Sequence, residues 1–172
     1  MTIPETIVGG NDTDDTFTIR QFSPYSDLQT VTKINRTTLP ENYPDSFYLL
    51  IFSSFPDGFF VAEDASKHIV AYTMNRIETG LSNFSRLRRV KKGHVISIAV
   101  LPQARRQGLG LKLMQLALSE MKKMDASECY LEVRCSNNPA IDLYEGMGFQ
   151  IIKTLKKYYS DNESAYLMAI RL

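Results

Sequence analysis

The chain has 172 residues, 20 Lys and Arg against 19 Asp and Glu, and a net charge of +1. That length accommodates about one domain with a sizeable core, and the balanced charge excludes a global field drawing the whole protein to nucleic acid or a membrane. No run approaches the ~18 apolar residues of a membrane span, and M-T-I-P-E-T-I-V-G-G at the start has neither the basic head nor the apolar stretch of a signal peptide, so a cytoplasmic protein is expected.

Residues 1–16 are polar and Gly-rich, with an acidic stretch at Asn11–Asp15; they predict a flexible tail ahead of a single domain over 17–172. T-F-T-I-R-Q-F, Thr16–Phe22, alternates as a strand does. A helix carrying Leu28, Val31 and Ile34 follows, with Ser26 or Asp27 as its cap. L-P-E-N-Y-P, Leu39–Pro44, breaks it, because each proline restricts itself and the residue before it. A second short helix is expected over Asp45–Phe55.

G-F-F-V-A-E-D and H-I-V-A-Y-T-M-N-R-I, joined by the turn-prone D-A-S-K, outline a hairpin. The stretch Thr79–Lys92, with the cations Arg86, Arg88, Arg89, Lys91 and Lys92, reads as a connection into G-H-V-I-S-I-A-V, Gly93–Val100. That run is nearly all apolar, as in a central strand covered on both faces. Next, Gly110, Leu113, Met114, Ala117, Met121 and Met124 recur at steps of three and four, which predicts a helix with one packed face.

C-Y-L-E-V-R, Cys129–Arg134, is the next strand; strand, helix, strand makes a right-handed crossover, so Gly93–Val100 and Cys129–Arg134 should run parallel side by side. An extended segment would hold Cys129 and Cys135 about 20 Å apart, beyond the ~7 Å limit for a bridge. Both are expected free, and Cys135 reads as a bystander because neither histidine is spaced to serve it. In S-N-N-P-A-I-D-L-Y-E-G-M-G-F, Pro139 suits a first helical turn after an Asn cap, and Gly146 with Gly148 ends the helix. The finish predicts a long hairpin turned at S-D-N-E.

The segment R-R-Q-G-L-G, Arg105–Gly110, places two cations and two glycines at the head of the long helix. The first amides of a helix lack intrahelical partners and the dipole is positive there, so an anion is stabilised. Gly108 and Gly110 would let a phosphate approach bare backbone, with Arg105 and Arg106 adding charge-assisted hydrogen bonds. A basic turn whose glycines only shape the loop has the same spacing. No Lys-Ser/Thr follows the second glycine, so this is not a nucleoside-triphosphate loop.

R-x-x-G-x-G after a strand resembles the pyrophosphate loop of the GCN5-related N-acetyltransferase (GNAT) superfamily, and Ser136–Phe149 is similar to its second cofactor motif. With L-P-E-N-Y, G-H-V-I-S-I-A-V, Y-L-E-V-R-x-S-N and K-Y-Y-S-D-N-E-S-A-Y-L-M added, the chain from Phe17 onward resembles the catalytic subunit of NatA-type protein N-terminal acetyltransferases, in the archaeal stand-alone form. The resemblance implies the superfamily's α/β (α+β) fold: a mixed, mostly antiparallel sheet with a splayed parallel pair, flanked by helices.

It also implies acetyl-CoA as co-substrate, with no metal, and protein N-termini as acceptors. The diphosphate would lie on the amides of Arg105, Arg106, Gln107, Gly108, Leu109 and Gly110, the pantetheine along Ile98, Ala99 and Val100, and the thioester near Asn137 and Tyr144. The acetyl group would pass directly to the amine, with Tyr144 hydrogen-bonding or protonating the departing thiolate. For the base the residues offer His94, Glu132 and Glu41; alternation places Glu132 opposite Leu131 and Val133, beside His94 on the neighbouring strand. Leu39, Pro40 and Glu41 on one wall and Tyr158 and Tyr159 on the other are the expected peptide grips.

About a tenth of an α-amine is free at neutral pH against about one in a few thousand for lysine, so the base required for an N-terminus is modest. Acetylation of lysine, a ribosomal protein or a small amine is the alternative within the superfamily. A non-catalytic acetyl-CoA-binding or RNA-associated module is the alternative outside it, resting on the cations of Arg86–Lys92. The acidic segment of eukaryotic subunits is replaced here by that basic one, which bears on whether an auxiliary subunit is needed.

Overall fold

The computed structural model describes residues 17–172; the expected tail, its acidic stretch and Thr16 lie outside the described residues. The strands are β1 (Phe17–Gln21), β2 (Phe60–Asp64), β3 (Ile69–Leu81), β4 (Arg89–Val100), β5 (Glu128–Arg134), β6 (Gln150–Leu155) and β7 (Ala165–Arg171). The helices are α1 (Leu28–Thr38), α2 (Asp45–Ser54), α3 (Leu109–Lys123) and α4 (Asn138–Gly146). The strands form one seven-stranded sheet in the order β1-β2-β3-β4-β5-β7-β6. Every pairing is antiparallel except β4 with β5, the pair that the α3 crossover joins.

Two features of β4 position the site. Its ladder with β5 spans only Lys92↔Glu128 to Val95↔Leu131, after which β4 runs on to Val100 and β5 to Arg134, so the strands part. The register with β3 also slips, from Met74↔Ser97 to Asn75↔Val95, leaving Ile96 as a bulged residue that reverses the alternation. Val95 therefore packs under α3, and so does Ile98 beyond the bulge, while Ser97 and Ala99 turn towards α1 and α2.

The buried face of α3 is Leu109, Leu113, Met114, Ala117 and Met121. A Cβ on Gly93 would come within 2.1 Å of Met121 Sδ, so a glycine in β4 is what lets α3 lie this close. Met124, expected on that face, is 42% exposed, because the helix has ended and Met124 serves as its C-cap. On the opposite face, buried Asn35 of α1 donates to Tyr72 Oη at 2.9 Å, which lies 2.7 Å from Ser97 Oγ. This polar link fixes α1 over the bulge.

Three expectations need correction. The connection is not Thr79–Lys92: β3 and β4 stay paired to Leu81↔Arg89, leaving only residues 82–88 between them. Val90 and Lys92 turn inward while Arg89 and Lys91 stay exposed, an alternation that lets a cationic segment be a strand. At α1, Asp27 holds the cap position without capping; its carboxylate accepts instead from Arg20 at 2.6 Å and from the Ser23 amide at 2.8 Å. The last hairpin has a wider turn than S-D-N-E, since β6 stops at Leu155 and Tyr158 and Tyr159 lie in the loop. Both cysteines are free, with Cys129 buried.

Candidate active site

Where β4 and β5 part, they open a cleft of about 1000 Å³ between the α1–α2 connection and the β6–β7 loop. Because Tyr130, Glu132 and Arg134 alternate with the buried Leu131 and Val133, all three project on the α1–α2 side of the sheet. His94 does the same from β4, and its Nε2 lies 2.7 Å from Glu132 Oε2. The two side chains are 11% and 15% exposed. His94 Nδ1 is buried without a partner, so in the neutral ring Nε2 carries the hydrogen and donates it to the carboxylate. This buried pair joins residues 38 positions apart in sequence at the floor of the cleft.

The expected site residues fall into three groups. Leu39, Pro40, Glu41, Asn137, Tyr144, Tyr158, Tyr159 and Ile98 all line the cleft with the pair. Tyr144 is 6% exposed and burial raises its phenol well above the usual range, so it stays protonated and has a hydrogen to donate. Burial likewise raises Tyr43, with Glu41 and Glu132 adding to the effect, and Tyr158. Ala99 is buried in the α1–α2 core, and neither it nor Val100 lines the cleft. Asn137 accepts from the Ala140 amide through its side chain, so it caps α4.

Arg105, Arg106, Gln107, Gly108, Leu109 and Gly110 form the loop into α3, outside the cleft's lining. Gly108 is the N-cap of α3 at φ +75°, with nothing within 4 Å of where a Cβ would stand. A left-handed cap and open space above the first amides make a cradle that an anion fits. Arg105 Nε donates to Val100 O at 3.0 Å, tying the loop back to the end of β4.

Glu41 is not a free acid. It pairs with Arg134, whose guanidinium also meets Asp161 at 2.7 Å and Glu163 at 2.6 Å and lies 4.1 Å from the Tyr159 ring centroid. Glu163 in turn accepts from Ser136 Oγ at 2.6 Å and the Ser136 amide at 3.0 Å. Those Ser136 bonds, then Arg134, hold the Glu163 carboxyl below its usual range; the Glu163 amide, then Arg134, do the same for Asp161. Arg134 thus clasps the two walls of the cleft together. Sequence reading did not single it out, although its parity with Glu132 put it on the cleft face.

The family model for "Acetyltransferase (GNAT) family" matches residues 28–149. An N-alpha-acetyltransferase of Sulfurisphaera tokodaii is 50% identical over 149 residues, covering 86% of this chain and 89% of that one. Ard1 from Thermoplasma volcanium superposes with a TM-score of 0.78 at 32% identity, over 91% of this chain and 98% of that one. The NatB acetyltransferase complex solved with CoA and MES gives 0.76 at 26% identity, over 90% and 99%.

Proposed function

The chain belongs to the acetyltransferase (GNAT) family, and on that premise we propose that it transfers the acetyl group of acetyl-CoA to the α-amine of protein N-termini. One observation carries the reading: a buried His94–Glu132 pair at the floor of a cleft walled on both sides by loops. A peptide end can enter between the walls and present its amine to the pair. Its acceptors are the free N-termini of nascent or mature cytoplasmic proteins, and the nascent ones would be met at the ribosome.

Acetyl-CoA fits the other end of the cleft, with its diphosphate just beyond the lining. The amides at Gly108–Gly110 and the guanidinium groups of Arg105 and Arg106 would hold its diphosphate, and the open backbone of β4 past Val95 would hold the arm. Glu132, kept in place by His94, accepts the α-ammonium proton through one water, so the neutral amine attacks the thioester carbonyl. The C–N bond forms, the C–S bond breaks, and the nitrogen sheds its second proton through the same water, while the leaving thiolate, hydrogen-bonded by the Tyr144 phenol, takes up a proton from solvent. The amine attacks the thioester directly, so no enzyme-bound acyl group is required and Cys135 has no part.

An α-amine, about a tenth neutral at pH 7, needs only such a weak base, whereas lysine is neutral about once in a few thousand molecules. Turnover with short peptides, each paired with an Nα-blocked twin carrying an internal lysine, tests the assignment. Only the free ends should react, and Glu132→Gln should lower kcat/KM by about 10²–10³-fold. Reaction of the blocked twins alone would overturn it.

A further inference from the structure

His94 is held on its second side by a stack that the reaction as drawn does not use. The Tyr130 ring lies 4.1 Å from the His94 ring, nearly parallel at 14°. Lys92 Nζ stands over the same Tyr130 ring at 4.6 Å from its centroid. With His94 occupying one face, the ammonium takes the other. Tyr130 is fixed at its far end, where its hydroxyl donates to Glu78 Oε1 at 2.7 Å, and at its edges by Leu167 and Ala169. Glu78 is itself held by Arg76 at 3.0 Å, and Lys92 donates to the Leu81 carbonyl at 3.1 Å. Lys92 is only 9% exposed, and its ammonium also pairs with Glu78 at 4.0 Å.

We propose that Tyr130 and Lys92 are positioning residues for His94: the ring fixes the imidazole plane on Glu132, and the ammonium, held by the Leu81 carbonyl and by Glu78 at 4.0 Å, backs the ring. This rests on the reading of His94 and Glu132 as the base pair. A protonated His94 would need an acceptor for a second N–H at Nδ1, which the described residues do not supply. It would also convert Glu132 from a hydrogen-bonded base into half of an ion pair, a weaker acceptor of the substrate proton.

With the ring removed the imidazole is free to rotate, and its Nε2 hydrogen no longer points at Glu132; the loss falls on kcat and leaves KM for acetyl-CoA in place.

The chain has two histidines, and His68 lies in the β2–β3 turn with a side chain 78% exposed, so imidazole NMR of the full chain reads His94 with an internal control. Tyr130→Leu is expected to shift and broaden the His94 ring resonances, which lie in the ring current of Tyr130 in the parent, leaving those of His68 in place; Lys92→Met is expected to do the same to a smaller extent, and Glu78→Gln, which preserves shape, supplies the test if Lys92→Met does not fold. Tyr130→Leu should cut kcat/KM about tenfold or more by freeing the ring, and Tyr130→Phe should restore most of it.

His94 resonances unmoved in Tyr130→Leu and in both charge variants, or Tyr130→Leu turning over like the parent, overturns the inference. A His94→Ala enzyme with undiminished kcat/KM would instead sink the base-pair reading beneath it, while the resonance shifts would still report the stack. The two failures are therefore separable.

Discussion

The two ends of the cleft are built from different materials. At the acceptor end the work falls to side chains locked by charge: His94 on Glu132, and Arg134 among Glu41, Asp161 and Glu163. At the donor end it falls to backbone, with amides bared by a left-handed Gly108 and a strand edge freed where β4 leaves β5. A side-chain device depends on each partner's chemistry and therefore on pH. A backbone device depends on conformation, tolerates most substitutions and fails where the dihedral angle is lost.

The sharpest break falls on the clasp. Arg134→Ala removes the one group shared by both walls, and displacing the peptide grip by about an ångström is expected to cost about 10²-fold in peptide kcat/KM, with KM for acetyl-CoA little changed. Equal losses for both substrates would erase the distinction between the ends. At the donor end, Gly108→Ala must hold a Cβ at φ +75°, a strain of about 1–2 kcal/mol; KM for acetyl-CoA is expected to rise about tenfold. Gly108→Asn, better tolerated in that conformation, should recover part of the loss.

The smallest effect concerns acid. Glu163 and Asp161 have carboxyls held below their usual range in the folded chain, so their contribution is complete above the unfolded value of about 4 and is lost as pH falls through the folded one. Both are solvent-facing, so the clasp should loosen below about pH 4 with only a modest change in melting temperature. Glu163→Gln is expected to lower Tm by about 2 °C at pH 7 and to flatten its fall between pH 5 and pH 3. A parallel fall in the two proteins would remove Glu163 from the clasp.

Much of this division could be read before any coordinates. The parity of Y-L-E-V-R and the crossover through α3 brought Glu132 beside His94, because period-two alternation and a right-handed connection leave few alternatives. The glycines and arginines ahead of α3 announced a bared helix start for the same local reason. The clasp was illegible, since Arg134 and Glu41 stand 93 positions apart and neither carries a mark of the other. The stack on His94 was missed although Tyr130 shares Glu132's parity, because aromatic residues in strands pack far more often than they position. G-H-V-I-S-I-A-V is so uniformly apolar that it offers no parity signal, and so the surplus residue in β4 was hidden.

That surplus residue acts as a timing device for the donor half of the protein. Excising Ile96 would not trim the strand locally; it would rotate everything after it by half a turn, carrying Ser97 away from Tyr72 and driving Ile98 out from beneath α3. A single-codon deletion there should be more damaging than replacing Ile96 by almost any other amino acid, since it is the count of residues, rather than the identity of one, that aligns the strand's free edge with the His94–Glu132 pair.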